Sequence, residues 1–298
     1  MPGEPGAFAT CNNIQIWYRD EGPQTGEPIL LIMGLGSQLI AWPQDFVDDL
    51  TGRGYRVIRF DNRDSGLSEK IEPAAGAIET DPTINAAYQL TDMAADSVGL
   101  LDHLGIDRAH IVGASMGGMI AQTLAIHHPE RVRTLCSIMS TTGAPFVGLP
   151  TLEAAAAVLA GTPAEREAAI AHIANVTRII GSRTLEAEER EARLAGATAA
   201  YDRMFYPAGT KRQFGAITAA PNRTAALGEF AKLGIPVLVV HGGEDSLINV
   251  SGGRATHNAV PGSELVVLDT MGHDLPASLR PQVLDAIDAN AKKALVSA

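Results

Sequence analysis

Cysteine is scarce in this chain of 298 residues, and metal-binding side chains do not cluster. The two cysteines, Cys11 and Cys136, lie far apart, and no group of Cys and His residues has the spacing of metal ligands. Neither a disulfide framework nor a zinc site is therefore predicted. We expect a protein that needs no metal and no other cofactor.

Positive charge and long apolar runs are also in short supply. The chain has 23 Lys and Arg against 34 Asp and Glu, a formal net charge of -11, whereas binding nucleic acid requires clustered cations that displace counterions. No stretch approaches the roughly 18 apolar residues that span a bilayer, and the N-terminus lacks the basic and apolar regions of a secretory leader. We expect a cytoplasmic protein that neither binds nucleic acid nor spans a membrane.

Apolar residues make up 46% of the chain, enough to bury a large core within one domain. Short apolar runs bounded by Gly, Pro or charge predict buried strands at 29–33, 55–60, 109–112, 134–139, 236–240 and 264–268. Segments of helical length separate them, at 43–51, 91–104, 116–128, 252–260 and 281–294. This alternation predicts an α/β fold with a mostly parallel sheet and helices on both faces. Alternating polarity at 13–19 predicts an antiparallel edge strand.

Residues 141–228 interrupt the alternation. Ala, Glu and Arg dominate this region without a strand pattern, which predicts several helices inserted between two strands. An insertion at the carboxyl end of a strand lies on the face where open α/β sheets bind ligands. We therefore expect a helical cap over an active site, with 1–140 and 229–298 forming the core. A separate helical bundle is the alternative interpretation.

One serine lies in a pattern typical of a nucleophile. The sequence Gly113-Ala114-Ser115-Met116-Gly117 follows a predicted strand and precedes a predicted helix. A serine on such a sharp turn needs small neighbours, and the amides at the start of the helix point toward a developing oxyanion. Ser115 is the predicted nucleophile. A glycine-rich turn with an inactive serine is the alternative.

A serine nucleophile needs a histidine base and a carboxylate that fixes the tautomer of that base, both at the ends of later strands. His273 lies in a glycine-flanked loop after the last predicted strand, and Asp245 lies in the loop after the strand before it. We predict His273 as the base and Asp245 as the acid. Glu244 and Asp269 stay open as alternatives for the acid. The remaining histidines fall where structural roles are expected.

An oxyanion hole needs two backbone amides, one from the residue after the nucleophile and one from the loop after an early strand. Met116 is the first candidate. The sequence Met33-Gly34-Leu35-Gly36 follows a predicted strand and supplies the second candidate, the Leu35 amide. A plain strand-to-helix turn would explain the same glycines.

The chain resembles esterases of the α/β-hydrolase fold over essentially its full length. The resemblance is carried by the segments 31–36, 60–68, 113–118, 242–245 and 272–273. Met33 in place of the usual histidine, and Arg63-Asp64-Ser65-Gly66 in place of Arg-Gly-x-Gly, are similar to the aclacinomycin methylesterase group and related actinobacterial lipase-like esterases. The resemblance implies a Ser-His-Asp hydrolase, with roles falling on the residues already singled out. Asp64 is interpreted as a turn residue rather than a catalytic one.

The predicted function is cleavage of a small-molecule carboxylic ester, such as a methyl ester of an apolar substrate, through an acyl-enzyme on Ser115. Residues predicted to touch substrate are Gly34, Trp42, Phe205 and Phe214. Because the fold and the triad do not fix the substrate, a thioesterase, a lactonase, a C–C hydrolase and a cofactor-free perhydrolase remain open. A non-enzymatic small-molecule receptor on the same fold is the alternative from another class. The oligomeric state is not predicted.

Overall fold

A computed structural model of the chain describes residues 4–72 and 86–296. Within these residues eight strands form one sheet in the order β1-β2-β4-β3-β5-β6-β7-β8. The strands are β1 (Ala7–Cys11), β2 (Ile14–Glu21), β3 (Pro28–Ile32), β4 (Arg56–Phe60), β5 (Ala109–Ala114), β6 (Val132–Ile138), β7 (Val237–Gly242) and β8 (Glu264–Leu268). Along the sheet, each pair of neighbouring strands from β4 through β3 to β8 is parallel. The predicted α/β class with a mostly parallel sheet is confirmed.

A hairpin at the start of the chain adds a strand that the sequence did not predict. The predicted antiparallel strand is β2, which pairs with β4, but β1 lies outside it and forms the edge. Asn12 and Asn13 join the two strands with φ of 47° and 65°, the left-handed conformation that a two-residue hairpin turn requires. Because β1 buries only Ala9 and Cys11, its apolar pattern is weak.

Helices cover both faces of the sheet. The helices of the described residues are α1 (Gln44–Gly52), α2 (Leu90–His103), α3 (Met116–His127), α4 (Leu152–Leu159), α5 (Arg166–Ile180), α6 (Glu186–Arg203), α7 (Pro207–Ala219), α8 (Thr224–Ala231), α9 (Ser251–Ala259) and α10 (Arg280–Val296). One buried cluster joins the sheet to α1 and α10, and a second joins it to α2, α3, α8 and α9. These two clusters form the core of the α/β sandwich.

The helices of the predicted insertion lie between β6 and β7. Helix α4 packs against α5, and α5 packs against α6. Helix α8 crosses residue 228, the predicted end of the insertion, and packs against α3 and α9 of the core. In the described part of the chain, no helix combines the length and the apolar character needed to cross a membrane.

The parallel strands determine where the candidate residues meet. Ser115 follows β5, Asp245 lies in the loop after β7, and His273 lies in the loop after β8. The carboxyl ends of parallel strands meet at one edge of a sheet, which is where ligands bind in open α/β folds. The topology therefore places all three residues at that edge.

Candidate active site

Ser115 occupies the turn between β5 and α3 in a strained backbone conformation. Its φ of 57° and ψ of −122° lie outside the regions that side-chain-bearing residues normally adopt. The turn leaves no room for a side chain two residues to either side of Ser115. A Cβ on Gly113 would lie 2.1 Å from the Gly117 carbonyl oxygen, and a Cβ on Gly117 would lie 2.0 Å from the Ile32 carbonyl oxygen. The two glycines therefore permit the close packing of strand and helix that this turn requires.

The structure brings Ser115, His273 and Asp245 into one hydrogen-bonded row. The Ser115 Oγ atom lies 2.9 Å from His273 Nε2, and His273 Nδ1 lies 2.8 Å from Asp245 Oδ2. Because a carboxylate only accepts, Nδ1 carries the proton, which leaves Nε2 of the neutral imidazole to accept from the serine hydroxyl. This is the tautomer in which His273 can remove the Ser115 proton.

Asp245 is held in place by backbone amides as well as by His273. Its side chain is fully buried, and Oδ1 accepts from the amides of Leu247 and Ile248 at 3.0 Å and 2.8 Å. His241 lies on its other side, with Nε2 3.5 Å from Asp245 Oδ2, and donates to the Ile248 carbonyl at 2.7 Å. Burial lowers the pKa of His241. A neutral His241 does not compete as a cation with His273 for Asp245.

The two alternative acids lie elsewhere. Glu244 accepts from the amides of Arg183 and Thr184 at 2.7 Å and 3.0 Å and from the Thr184 hydroxyl. It thereby ties the turn between α5 and α6 to the core. Asp269 is exposed at the end of β8. Of the three candidate carboxylates, only Asp245 has a hydrogen bond to His273 among the described residues.

Of the predicted oxyanion residues, Met116 follows Ser115 in the chain and Leu35 follows Gly34. A Cβ on Gly34 would lie 3.0 Å from the Ser115 Cβ and 3.4 Å from its Oγ, so the backbone at Gly34 lies against the serine. Within the described ranges, the amides of Leu35 and Met116 donate to no protein acceptor. Both amides therefore retain a hydrogen for a substrate oxygen.

The residues predicted to touch substrate differ in how far they are buried. Trp42 is fully buried in the core, where its ring centroid lies 5.4 Å from that of Phe46, and it has no surface open to a ligand. Phe205 is half-buried against Tyr201, with ring centroids 4.6 Å apart. Phe214 is half-buried on α7. Gly34 lies against Ser115, and substrate contact through Gly34, Phe205 and Phe214 stays a prediction.

Asp64 has a role that sequence analysis missed. It adopts the turn conformation that was expected, with φ of 65°, but its fully buried carboxylate also pairs with Arg212 of α7. Arg212 Nε donates to Oδ2 at 2.9 Å and Nη2 donates to Oδ1 at 2.8 Å. A second buried pair, Arg203 with Asp61 at 2.8 Å, lies beside it. The inserted helices are thus joined to the loop after β4 by two ion pairs.

The loop that carries His273 is joined to the insertion as well. The His273 amide donates to the Ile180 carbonyl at 2.8 Å. Ser182 accepts from the Gly272 amide at 2.8 Å and donates to Asp274 at 2.5 Å. Any Cβ on Gly272 would lie 2.2 Å from the backbone of Gly181, so the two loops pack backbone to backbone. The only sequence indication of this contact is the glycine before His273.

Comparisons with known proteins agree with this architecture. Residues 27–276 match the α/β hydrolase fold family. The chain is 27% identical to rhodomycin D methylesterase DnrP of Streptomyces peucetius, over 98% of this chain and all of that one. It is 32% identical to 2-hydroxymuconate semialdehyde hydrolase of Pseudomonas putida, over 86% of this chain and 84% of that one.

Solved structures show the same fold. The enol-lactonase of Burkholderia xenovorans LB400 superposes with a TM-score of 0.75 at 23% identity, over 96% of this chain and all of that one. The match with the family covers far more than half of the chain. This protein belongs to the α/β hydrolase fold family.

Proposed function

We propose that this protein is a serine hydrolase that cleaves a carboxylic ester through an acyl-enzyme on Ser115. The observation that carries the proposal is the hydrogen-bonded row in which Ser115 Oγ lies 2.9 Å from His273 Nε2 and His273 Nδ1 lies 2.8 Å from Asp245. A neutral serine is a weak nucleophile, and this row supplies the base that activates it. The relationship to a methylesterase supports an ester as the substrate.

The proposed reaction has two halves. In the first, Ser115 Oγ attacks the ester carbonyl carbon while His273 Nε2 takes the hydroxyl proton, and the carbonyl oxygen becomes an oxyanion that accepts from the Leu35 and Met116 amides. The C–O bond to the alcohol then breaks, and His273 returns the proton to the departing oxygen. In the second half, water gives a proton to His273 and its oxygen attacks the acyl carbon. The bond from that carbon to Ser115 Oγ then breaks, and His273 returns the proton to Oγ, which releases the acid and restores Ser115.

The substrate that we propose is a small or medium ester with an apolar part, such as a methyl ester. Phe205 and Phe214 of the insertion are both half-buried and are the proposed apolar contacts. Residues 141–228 would then act as a cap, with α8 packed on the core at its end. The hydrogen bond from His273 to Ile180 and the ion pair from Asp64 to Arg212 support this arrangement.

A C–C hydrolase is the second candidate, because a relative that is 32% identical over 86% of this chain is a semialdehyde hydrolase. Both reactions would use the same serine and histidine, so only turnover on matched substrates separates them. Thioester, lactone and perhydrolysis substrates belong in the same panel. A receptor without catalysis would retain a small molecule and turn nothing over.

The first experiment is hydrolysis of short and medium acyl nitrophenyl esters, a panel of methyl esters and a vinylogous diketone by the wild type and by Ser115→Ala. A matched control is Ser97→Ala, which removes another buried serine hydroxyl, one that donates to the Met93 carbonyl within α2. We expect ester turnover that vanishes in Ser115→Ala, persists in Ser97→Ala, and accompanies a single phosphonate adduct on Ser115 in mass spectra. No turnover and no adduct in the wild type would refute the proposal. Faster turnover of the diketone than of every ester would favour the C–C hydrolase.

A further inference from the structure

Gln213 is a fully buried side chain of the insertion that reaches the predicted oxyanion loop. Its Oε1 accepts from the Gly36 amide at 2.7 Å, and its Nε2 donates to the Arg63 carbonyl at 2.8 Å. Because a backbone amide only donates and a carbonyl only accepts, the orientation of the Gln213 amide group is fixed by its partners. The residue therefore joins α7 to two loops of the core at once.

The loop that Gln213 contacts is a tight turn. The Ser37 amide donates to the Gly34 carbonyl at 3.2 Å, and Gly36 has a φ of 65°. A positive φ at the third position is the mark of a type II turn, in which the central peptide is flipped relative to the commoner type I turn. The Gly36 N–H belongs to that central peptide. By accepting from it, Gln213 favours the type II conformation.

Helix α7 also packs directly on this turn. A Cβ on Gly36 would lie 2.8 Å from Thr210 Oγ1. Thr210 and Gln213 are three residues apart and so share one face of the helix. The adjacent Arg212 holds α7 through its ion pair with Asp64. The position of the Gly34–Ser37 turn thus depends on a docked α7.

We propose that Gln213 is a positioning residue that holds the Leu35 amide beside Ser115. Leu35 is the second residue of the turn, and Gly34 before it lies against the Ser115 side chain. Without Gln213 the Gly36 amide would lose its acceptor in the protein, and the turn would no longer be held in the conformation that directs this amide toward α7. The inference rests on the proposed function, because it assigns Leu35 to an oxyanion hole. It makes the inserted helices part of the catalytic apparatus rather than a cover alone.

The test compares Gln213→Met, which removes both hydrogen bonds at similar volume, with Gln122→Met. Gln122 is an equally buried glutamine on α3 that bonds to Ser137 and Arg223 and does not contact the turn. We expect Gln213→Met to lower kcat about tenfold or more, since displaced oxyanion donors act mainly on the transition state, with KM within about twofold. Gln122→Met should show a similar fall in Tm and a kcat within about twofold of the wild type. Gln213→Glu keeps the acceptor for Gly36 but sets an oxygen against the Arg63 carbonyl, so it should recover part of the kcat.

A second readout does not depend on turnover. Hydrogen–deuterium exchange of a peptide covering residues 33–38 should be faster in Gln213→Met than in the wild type, and unchanged in Gln122→Met. Equal kcat in the two methionine variants, or unchanged exchange in Gln213→Met, would overturn the inference. A wild type without turnover or a Ser115 adduct would overturn the proposed function and the catalytic role of Gln213 together, whereas the exchange result would still decide whether Gln213 holds the turn.

Discussion

Replacing Asp245 with asparagine should remove most of the activity, because the structure leaves the new amide only one orientation. Asp245 Oδ1 accepts from the amides of Leu247 and Ile248, so the asparagine oxygen has to occupy that site. The asparagine NH₂ group then takes the place of Oδ2, the atom that lies 2.8 Å from His273 Nδ1. Two donors would meet there unless Nδ1 loses its proton.

The size of the effect follows from the tautomer. When Nδ1 accepts from the asparagine, the proton of the neutral imidazole moves to Nε2, which then cannot accept from Ser115. The corresponding substitution in a serine protease lowers kcat about 10⁴-fold, which is about 5.5 kcal/mol of lost transition-state stabilisation. We expect a loss of the same order here. The fold should be retained, since both amide contacts of Oδ1 survive.

The assay is steady-state hydrolysis of a nitrophenyl ester near neutral pH, with the melting temperature of each variant as a check on folding. Matched controls are Glu244→Gln and Asp269→Asn, which neutralise the other two candidate acids. Glu244→Gln should keep kcat within a few-fold, although it weakens the contacts to Arg183 and Thr184. A folded Asp245→Asn protein with kcat within tenfold of the wild type would refute the reasoning, as would a larger loss in either control.

Two further predictions concern a glycine and a buried histidine. Gly34→Ala places a methyl group 3.0 Å from the Ser115 Cβ, so kcat/KM should fall about tenfold to a hundredfold. The control Gly52→Ala, whose methyl group meets no atom within 4 Å, should leave kcat/KM unchanged. Equal kcat/KM in the two variants would contradict the close approach of Gly34 to Ser115. Burial lowers the pKa of His110 from 6.5 to about 4, so the unfolded chain binds a proton between these values that the folded chain does not, and stability falls as the pH drops through this window. Between pH 7 and pH 4 the free energy of unfolding should therefore fall by about 3 kcal/mol less in His110→Asn than in the wild type. Urea denaturation at the two pH values measures this, and an equal fall in both proteins would contradict the prediction.

The parts of the site that sequence analysis predicted share a local basis. Ser115 is marked by glycines that the turn itself requires, and His273 and Asp245 are marked by their place just after predicted strands. Parallel strands bring such loops to one edge whatever their separation along the chain. The sheet and the three residues could therefore be predicted without knowing any contact between them.

The parts that it missed depend on contacts between distant segments. Asp64 and Arg212 are 148 residues apart, and Gln213 and Gly36 are 177 apart. Each of these residues alone is typical of a turn or of a polar helix face. The sequence around one residue of a pair therefore does not indicate its partner. Trp42 was predicted to touch substrate, but it fills the core beside Phe46.

The buried ion pairs favour a cap over a separate helical bundle as the interpretation of residues 141–228. If residues 141–228 folded as a separate bundle, the core would not need them in order to fold. The carboxylates of Asp61 and Asp64 are fully buried in the core, and their partners Arg203 and Arg212 both come from the insertion. Burial without a cation costs several kcal/mol per carboxylate, and burial already raises the pKa of Asp61 even with Arg203 opposing it. A core without the insertion would have to expose or protonate both residues, so we expect removal of the insertion to change the loop after β4.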